Sequence, residues 1–119
     1  MKEYFAKILV QNLQPKKTDQ VVLSSFAEDE ETAEMKIDNI IEKWENVDFY
    51  EILKISNKPI QLRKYLIFAD LKYSNGNLRT LTIPVRAENE SDADVFFHKL
   101  IKEWNHVVSV QLKNIEKQF

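Results

Sequence analysis

The sequence predicts an α+β protein built as a tandem ββαβ duplication, and three observations carry that prediction. Residues 21–55 and 81–115 align without a gap at one fixed offset, so that Ala27, Glu28, Glu30, Ala33, Ile41, Trp44, Val47 and Ile55 recur as Ala87, Glu88, Glu90, Ala93, Ile101, Trp104, Val107 and Ile115. Each copy carries one apolar stripe at helical spacing. Runs of period-two alternation lie before and after each stripe, as half-buried strands require.

The elements follow in chain order. Residues 3–11 form a first strand, with Ala6, Ile8 and Val10 on one side. A link over residues 12–19, holding Pro15, leads to a strand over 20–27 that alternates Val21, Leu23, Ser25 and Ala27 inward. Asp29 then suits a helix N-cap, and the acids after it favour a helix N-terminus. Ala33, Ile37, Ile40, Ile41 and Trp44 form the stripe of the first helix, while Glu34, Lys36, Asp38, Glu42 and Lys43 fill its other side. Trp44 reads as the last core anchor of that stripe. Asn46 lies where the helix ends, and residues 47–55 form the strand that leads out.

Residues 56–61, with Pro59, join the halves. A strand over 62–73 follows, with Ile67, Ala69 and Leu71 inward. The sequence Ser74-Asn75-Gly76-Asn77 then marks a hairpin, because Asn-Gly supplies the left-handed residues that tight β-turns need. The strand over 78–87 places Leu81, Ile83, Val85 and Ala87 inward. Asn89 caps the second helix in preference to the rival start at Ser91, because the equivalent of Ser91 is Glu31, a poor cap. Ala93, Phe97, Leu100, Ile101 and Trp104 repeat the stripe, and residues 107–115 form the last strand. A helix after a strand usually returns the chain to a parallel strand. The expected build is thus a mixed, mainly antiparallel six-stranded sheet with both helices on one face, related by a pseudo-twofold axis. Two separate three-stranded halves are the alternative. At 119 residues the chain is one domain, 1–119, made of repeats 3–56 and 62–117.

Composition removes several function classes. The chain holds no cysteine, which excludes disulfides, thiolate metal sites and thiol catalysis and fits a reducing cytoplasm. It holds one glycine, Gly76, where average usage gives about eight, so a P-loop or a dinucleotide fingerprint is absent. There is no nucleophile elbow, HExxH or EF-hand pattern. No apolar run approaches the roughly 18 residues of a membrane span. The start carries Glu3 and Lys7 and lacks a small-residue cleavage site, which argues against a signal peptide. Small, glycine-poor chains rich in Lys and Glu are common in bacteria.

Candidate chemistry is sparse. Glu28, Glu30, Glu88 and Glu90 read as acids drawn to helix N-termini rather than metal ligands. His98 and His106 are about two turns apart, too far for a shared metal, and read as solvated surface residues. The sequence therefore predicts a non-enzyme with no catalytic residue, cofactor or metal.

The sheet faces turned away from the helices are more informative. Alternation assigns Phe5, Leu9, Phe26, Phe49 and Leu53 to that outer face in the first half. The second half has Leu66 and Phe68 there, with Thr80, Thr82, Arg86, Ser109, Gln111 and Lys113. A solvated face should be polar, and large apolar clusters left in water usually mark an interface. Phe96 adds to this, since it replaces Lys36 and lies off the stripe. The opposing explanations are that the parity of one strand is misassigned or that a loop such as residues 12–19 folds over the cluster.

The favoured function is a protein-binding or oligomerisation module, with a homodimer or another protein as partner, through Phe5, Leu9, Phe26, Phe49, Leu53, Phe68 and Phe96. The alternative is nucleic-acid binding. Residues 54–86 hold seven bases against Asp70 alone, whereas residues 28–46 hold eight acids against Lys36 and Lys43. On that alternative Lys72, Arg79 and Arg86 contact phosphate, and Tyr65, Phe68 and Tyr73 stack on bases. Its plain rival is ordinary strand edges carrying Lys and Arg to discourage aggregation.

Overall fold

The computed structural model describes residues 1–14, 17–102, 104 and 106–118; Pro15, in the predicted link, lies outside them. Strands β1 (Lys2–Asn12) and β2 (Lys17–Ala27) precede helix α1 (Glu30–Glu42) and strand β3 (Val47–Ser56). Strands β4 (Arg63–Tyr73) and β5 (Leu78–Ala87) precede helix α2 (Glu90–Lys102) and strand β6 (Val107–Lys117). The order is ββαβ twice, in two compact units, Met1–Leu62 and Arg63–Phe119.

The strands divide into two three-stranded sheets, ordered β2-β1-β3 and β5-β4-β6, rather than one six-stranded sheet. The reason lies in the connections. A hairpin places β2 beside β1, and the helix carries the chain across β1 to its free edge, where β3 pairs. Both ladders are antiparallel, so β2 and β3 run the same way without touching. The first strand of each half thus has both edges filled from its own half. The registers are equivalent in the two units: Lys2 faces Ala27 as Arg63 faces Ala87, and Phe5 faces Ser24 as Leu66 faces Pro84.

Alternation assigned the helix-facing sides correctly. Ala6, Ile8 and Val10 form a buried cluster with Ile37 and Ile41, flanked by Val21, Leu23, Val47, Tyr50, Ile52 and Ile55. Burial of an Ile of this kind contributes about 1.5–3 kcal/mol. In the second unit Ile67, Ala69, Leu71, Val85, Ala87, Ala93, Phe97 and Ile101 are buried. The stripe of α1 is narrower than its spacing implies, because Ile40 is exposed. The tryptophans are not the core anchors expected of them. Each follows its helix, donates its backbone N–H to Ile41 or Ile101 at 2.9 Å, and is 37% exposed. Once the helix has ended, the 3.6-residue period no longer directs the side chain inward.

Both expected caps are present. Asp29 Oδ1 accepts from Thr32 N–H at 2.7 Å, and Asn89 Oδ1 accepts from Asp92 N–H at 2.8 Å. The bond from the Thr32 backbone holds the Asp29 carboxyl below its ordinary value. Asp92 in turn accepts from Glu88 N–H at 2.9 Å, which closes a variant of the capping box.

The hairpin at 74–77 forms, but of its Asn-Gly only Gly76 is left-handed, so Ser74 and Asn75 make the turn and Gly76 closes it. Tyr73 C=O accepts from Gly76 N–H, Gly76 adopts φ +86°, and Tyr73 N–H donates back to Asn77 C=O. Asn46 and His106 occupy equivalent left-handed positions, φ 69° and 73°. Their carbonyls accept from Leu13 N–H at 2.9 Å and Ser74 N–H at 2.6 Å, tying each helix exit to the β1–β2 or β4–β5 link. Asn46 adds a two-way amide bond to the Gln14 backbone, with both distances 2.8 Å. Asn suits this conformation better than a bulky ring. His106→Asn is therefore expected to stabilise the protein by up to about 1 kcal/mol, read as a higher urea midpoint with an unchanged slope. An unchanged or lower midpoint would show that the imidazole makes up the backbone cost.

Candidate interaction surfaces

In the first unit, β1 and its neighbours set the outer face row by row. Glu3 faces Phe26, Phe5 faces Ser24 and Ser56, Leu9 faces Gln20 and Glu51, and Gln11 faces Phe49. Leu53 falls at the register shift opposite Lys7 and Ile8. The predicted apolar residues therefore lie on a diagonal across this face rather than in one cluster. At about 3.4 Å per residue, Phe26 and Phe49 lie near opposite ends, ~27 Å apart along β1.

Exposure separates them further. Phe26 is 57% and Phe49 50% exposed, and Phe5 and Leu53 are half-buried. Leu9 at 4% and Phe96 at 2% are buried within the chain and offer no free surface. Phe68, of the second unit, is half-buried. Beside Leu9, Lys7 and Gln20 are also buried, so the middle of the first outer face is covered while its ends are open. Sequence reasoning left out Leu13, which is 54% exposed. Leu13 follows the end of β1, where its backbone N–H is held by Asn46, so exposed apolar surface continues just past the Gln11–Phe49 row.

The outer face of the second unit has a different character. Rows across β5-β4-β6 read Leu78–Lys72–Ser109, Thr80–Asp70–Gln111, Thr82–Phe68–Asn114 and Pro84–Leu66–Glu116, ending on Arg86–Lys64. The β5 and β6 residues in these rows are exposed. Asp70 is pinned in the middle: Thr80 Oγ1 donates to it at 2.8 Å, and Lys113 Nζ lies 3.3 Å from its other oxygen. Those partners, Thr80 first, hold its carboxyl below the ordinary range. A depression of about 550 Å³ opens here, lined by Asp70, Lys72, Arg79, Thr80, Ser109 and Gln111 among others. Arg79 pairs with Leu71, and its register thus gives it the helix-side parity, unlike Lys72 and Arg86. Tyr65 is buried, whereas Tyr73 is half-buried at the end of β4.

Two titratable side chains outside these faces have structural partners. His98 Nδ1 lies 2.9 Å from the Asp94 carbonyl and 3.0 Å from its carboxylate, and the ring sits edge-on to Phe97. Tyr50 O–H donates to Asp38 at 2.9 Å, joining β3 to α1, and that bond raises the phenol above its ordinary value. Among the described residues no group of three or more His, Asp or Glu is placed to hold a metal ion. Nor is any helix of the described residues long and apolar enough to cross a membrane.

Fold and surfaces together define an α+β protein of two ββαβ units whose outer sheet faces have diverged. No protein-family model matches the chain, and no curated protein matches it.

Proposed function

We propose that the chain is a non-catalytic protein-binding module that self-associates through the open parts of its first outer face. One observation carries this reading above others: Phe26 and Phe49 stand half-exposed or more on a sheet face where the second unit has Arg86 and Ser109. Leu13 and Phe5 extend the two open ends. Aromatic residues of this kind anchor interfaces, while rim contacts matter less.

A two-fold interface brings the same patch of each copy together, so one apolar face serves both partners and a second copy needs no further surface. Met1–Leu62 holds 8 bases against 12 acids, so such a contact rests on the aromatic side chains rather than on charge attraction. The absence of cysteine is compatible with a cytoplasmic setting.

Sedimentation equilibrium over a wide concentration range tests the reading. The expected result is reversible dimerisation, weakened about tenfold or more by Phe26→Ser with Phe49→Ser, the equivalent of roughly 1.4 kcal/mol or more. A wild-type chain that stays monomeric throughout, or a variant that dimerises equally well, would refute it.

A further inference from the structure

We propose that the outer face of the β5-β4-β6 sheet is a binding site for single-stranded nucleic acid. This goes beyond the self-association reading and uses different residues. The face is open, with exposed flanking strands, and its central strand presents Lys64, Leu66, Phe68, Asp70 and Lys72 in succession. Lys64 and Lys72 stand at its two ends, and Phe68 lies midway between them. The span is about 27 Å at 3.4 Å per residue, enough for several nucleotides in extended form.

The charge balance of the face is positive. Lys64, Lys72, Arg86 and Lys113 stand against Asp70 and Glu116, and Asp70 is already held by Thr80 and Lys113. The ammonium groups of Lys64 and Lys72 have no ion-pair partner among the described residues. Around Asp70 and Glu116 the face between them offers hydroxyls and amides: Thr80, Thr82, Ser109, Gln111 and Asn114. The 550 Å³ depression beside Lys72, with Leu78 on its wall, gives one nucleotide a place to sit. Phosphate contacts from Lys and stacking on an aromatic ring are the two terms by which proteins hold single strands without reading sequence.

The same geometry disfavours the other anionic ligands. A compact phosphate is best held by converging backbone N–H groups, and those of the central strand are committed to two ladders. Duplex DNA is usually entered by a helix or a two-stranded ribbon, and neither projects from this face. The overall charge of −2 gives no long-range attraction, so binding rests on local contacts and is modest in affinity.

Fluorescence anisotropy on the full chain, with labelled oligothymidylate, oligouridylate and a duplex of matched length, tests the site. We expect the single strands to bind more tightly than the duplex. Three phosphate contacts give a log–log salt slope of about −2, or roughly tenfold or more lost between about 50 and 200 mM salt. Lys64→Ser with Lys72→Ser should bring the slope above about −1. Phe68→Leu, which keeps an apolar side chain, should weaken binding about fivefold with the slope unchanged. Phe26→Ser with Phe49→Ser should bind oligonucleotide like wild type, which separates this site from the self-association surface. Circular dichroism establishes that each variant is folded. The proposal is overturned by absence of salt-dependent binding, by tighter duplex binding, or by a slope that ignores both lysines. It is also overturned if only inorganic phosphate, and no oligonucleotide, binds.

Discussion

Ala69→Pro is expected to destroy the folded state of the second unit. Ala69 is fully buried in β4, between Leu81 of β5 and Leu112 of β6. Proline there removes a ladder donor from a strand paired on both edges, and its ring crowds the neighbouring backbone. The cost is about 3 kcal/mol or more. A 57-residue unit at about 0.05–0.15 kcal/mol per residue has roughly 3–9 kcal/mol to lose. The internal repeat supplies the control. Pro84 already sits in β5, an edge strand, where a proline is tolerated if its missing N–H would have pointed to solvent. Its register equivalent in β2 is Ser24, opposite Phe5. Ser24→Pro should therefore change stability by less than about 0.5 kcal/mol. Ser25→Pro, one residue along, turns the lost donor toward β1 and should cost about 1–3 kcal/mol. Thermal melts with amide exchange of each half would decide it. Equal effects at Ser24 and Ser25 would mean that the two edges are not built alike.

What could be read from the sequence follows from how local each feature is. Helices, caps and the Asn-Gly hairpin depend on residues within a few positions, and Asp29, Asn89 and Gly76 do what their types predict. The assignment of strand faces needs only parity, so Phe5, Leu9, Phe26 and Phe49 do share one face. Sheet partition is a different matter. Residues 62–73 alternate in the same way whether they pair within their own half or with the other, and only the ladders decide it. Exposure is less local still. Lys7 and Gln20 are of types usually found at the surface, yet both are buried beside Leu9. Phe96 looked like a surface anomaly because Lys36 stands in its place in the first helix. Lys36 reaches the Phe26 carbonyl at 2.7 Å through its ammonium group, whereas Phe96 is buried. The functional candidates were legible as a face; which parts of that face stay open was not.

The halves also solve the same packing problem with different volumes, and this leads to the second large effect. On the central strands, Ala6, Ile8 and Val10 of β1 correspond by register to Ile67, Ala69 and Leu71 of β4. On the helices, Ile37 corresponds to Phe97, and both are fully buried. The first half thus puts an isoleucine at the middle of its strand and another on its helix. The second half puts the small residue on the strand and the largest on the helix. Phe97→Ala is expected to cost about 3–5 kcal/mol, from lost burial and the cavity left behind. Ala69→Ile alone should cost about 1–3 kcal/mol by overpacking. If the two residues divide one volume, the double variant refills part of the cavity, and its cost falls below the sum of the single costs by about 1 kcal/mol or more. Urea unfolding of the four proteins measures that coupling. Strict additivity would mean that Ala69 and Phe97 fill separate spaces. The exchange of size between strand and helix would then be incidental to how the second unit keeps its core full.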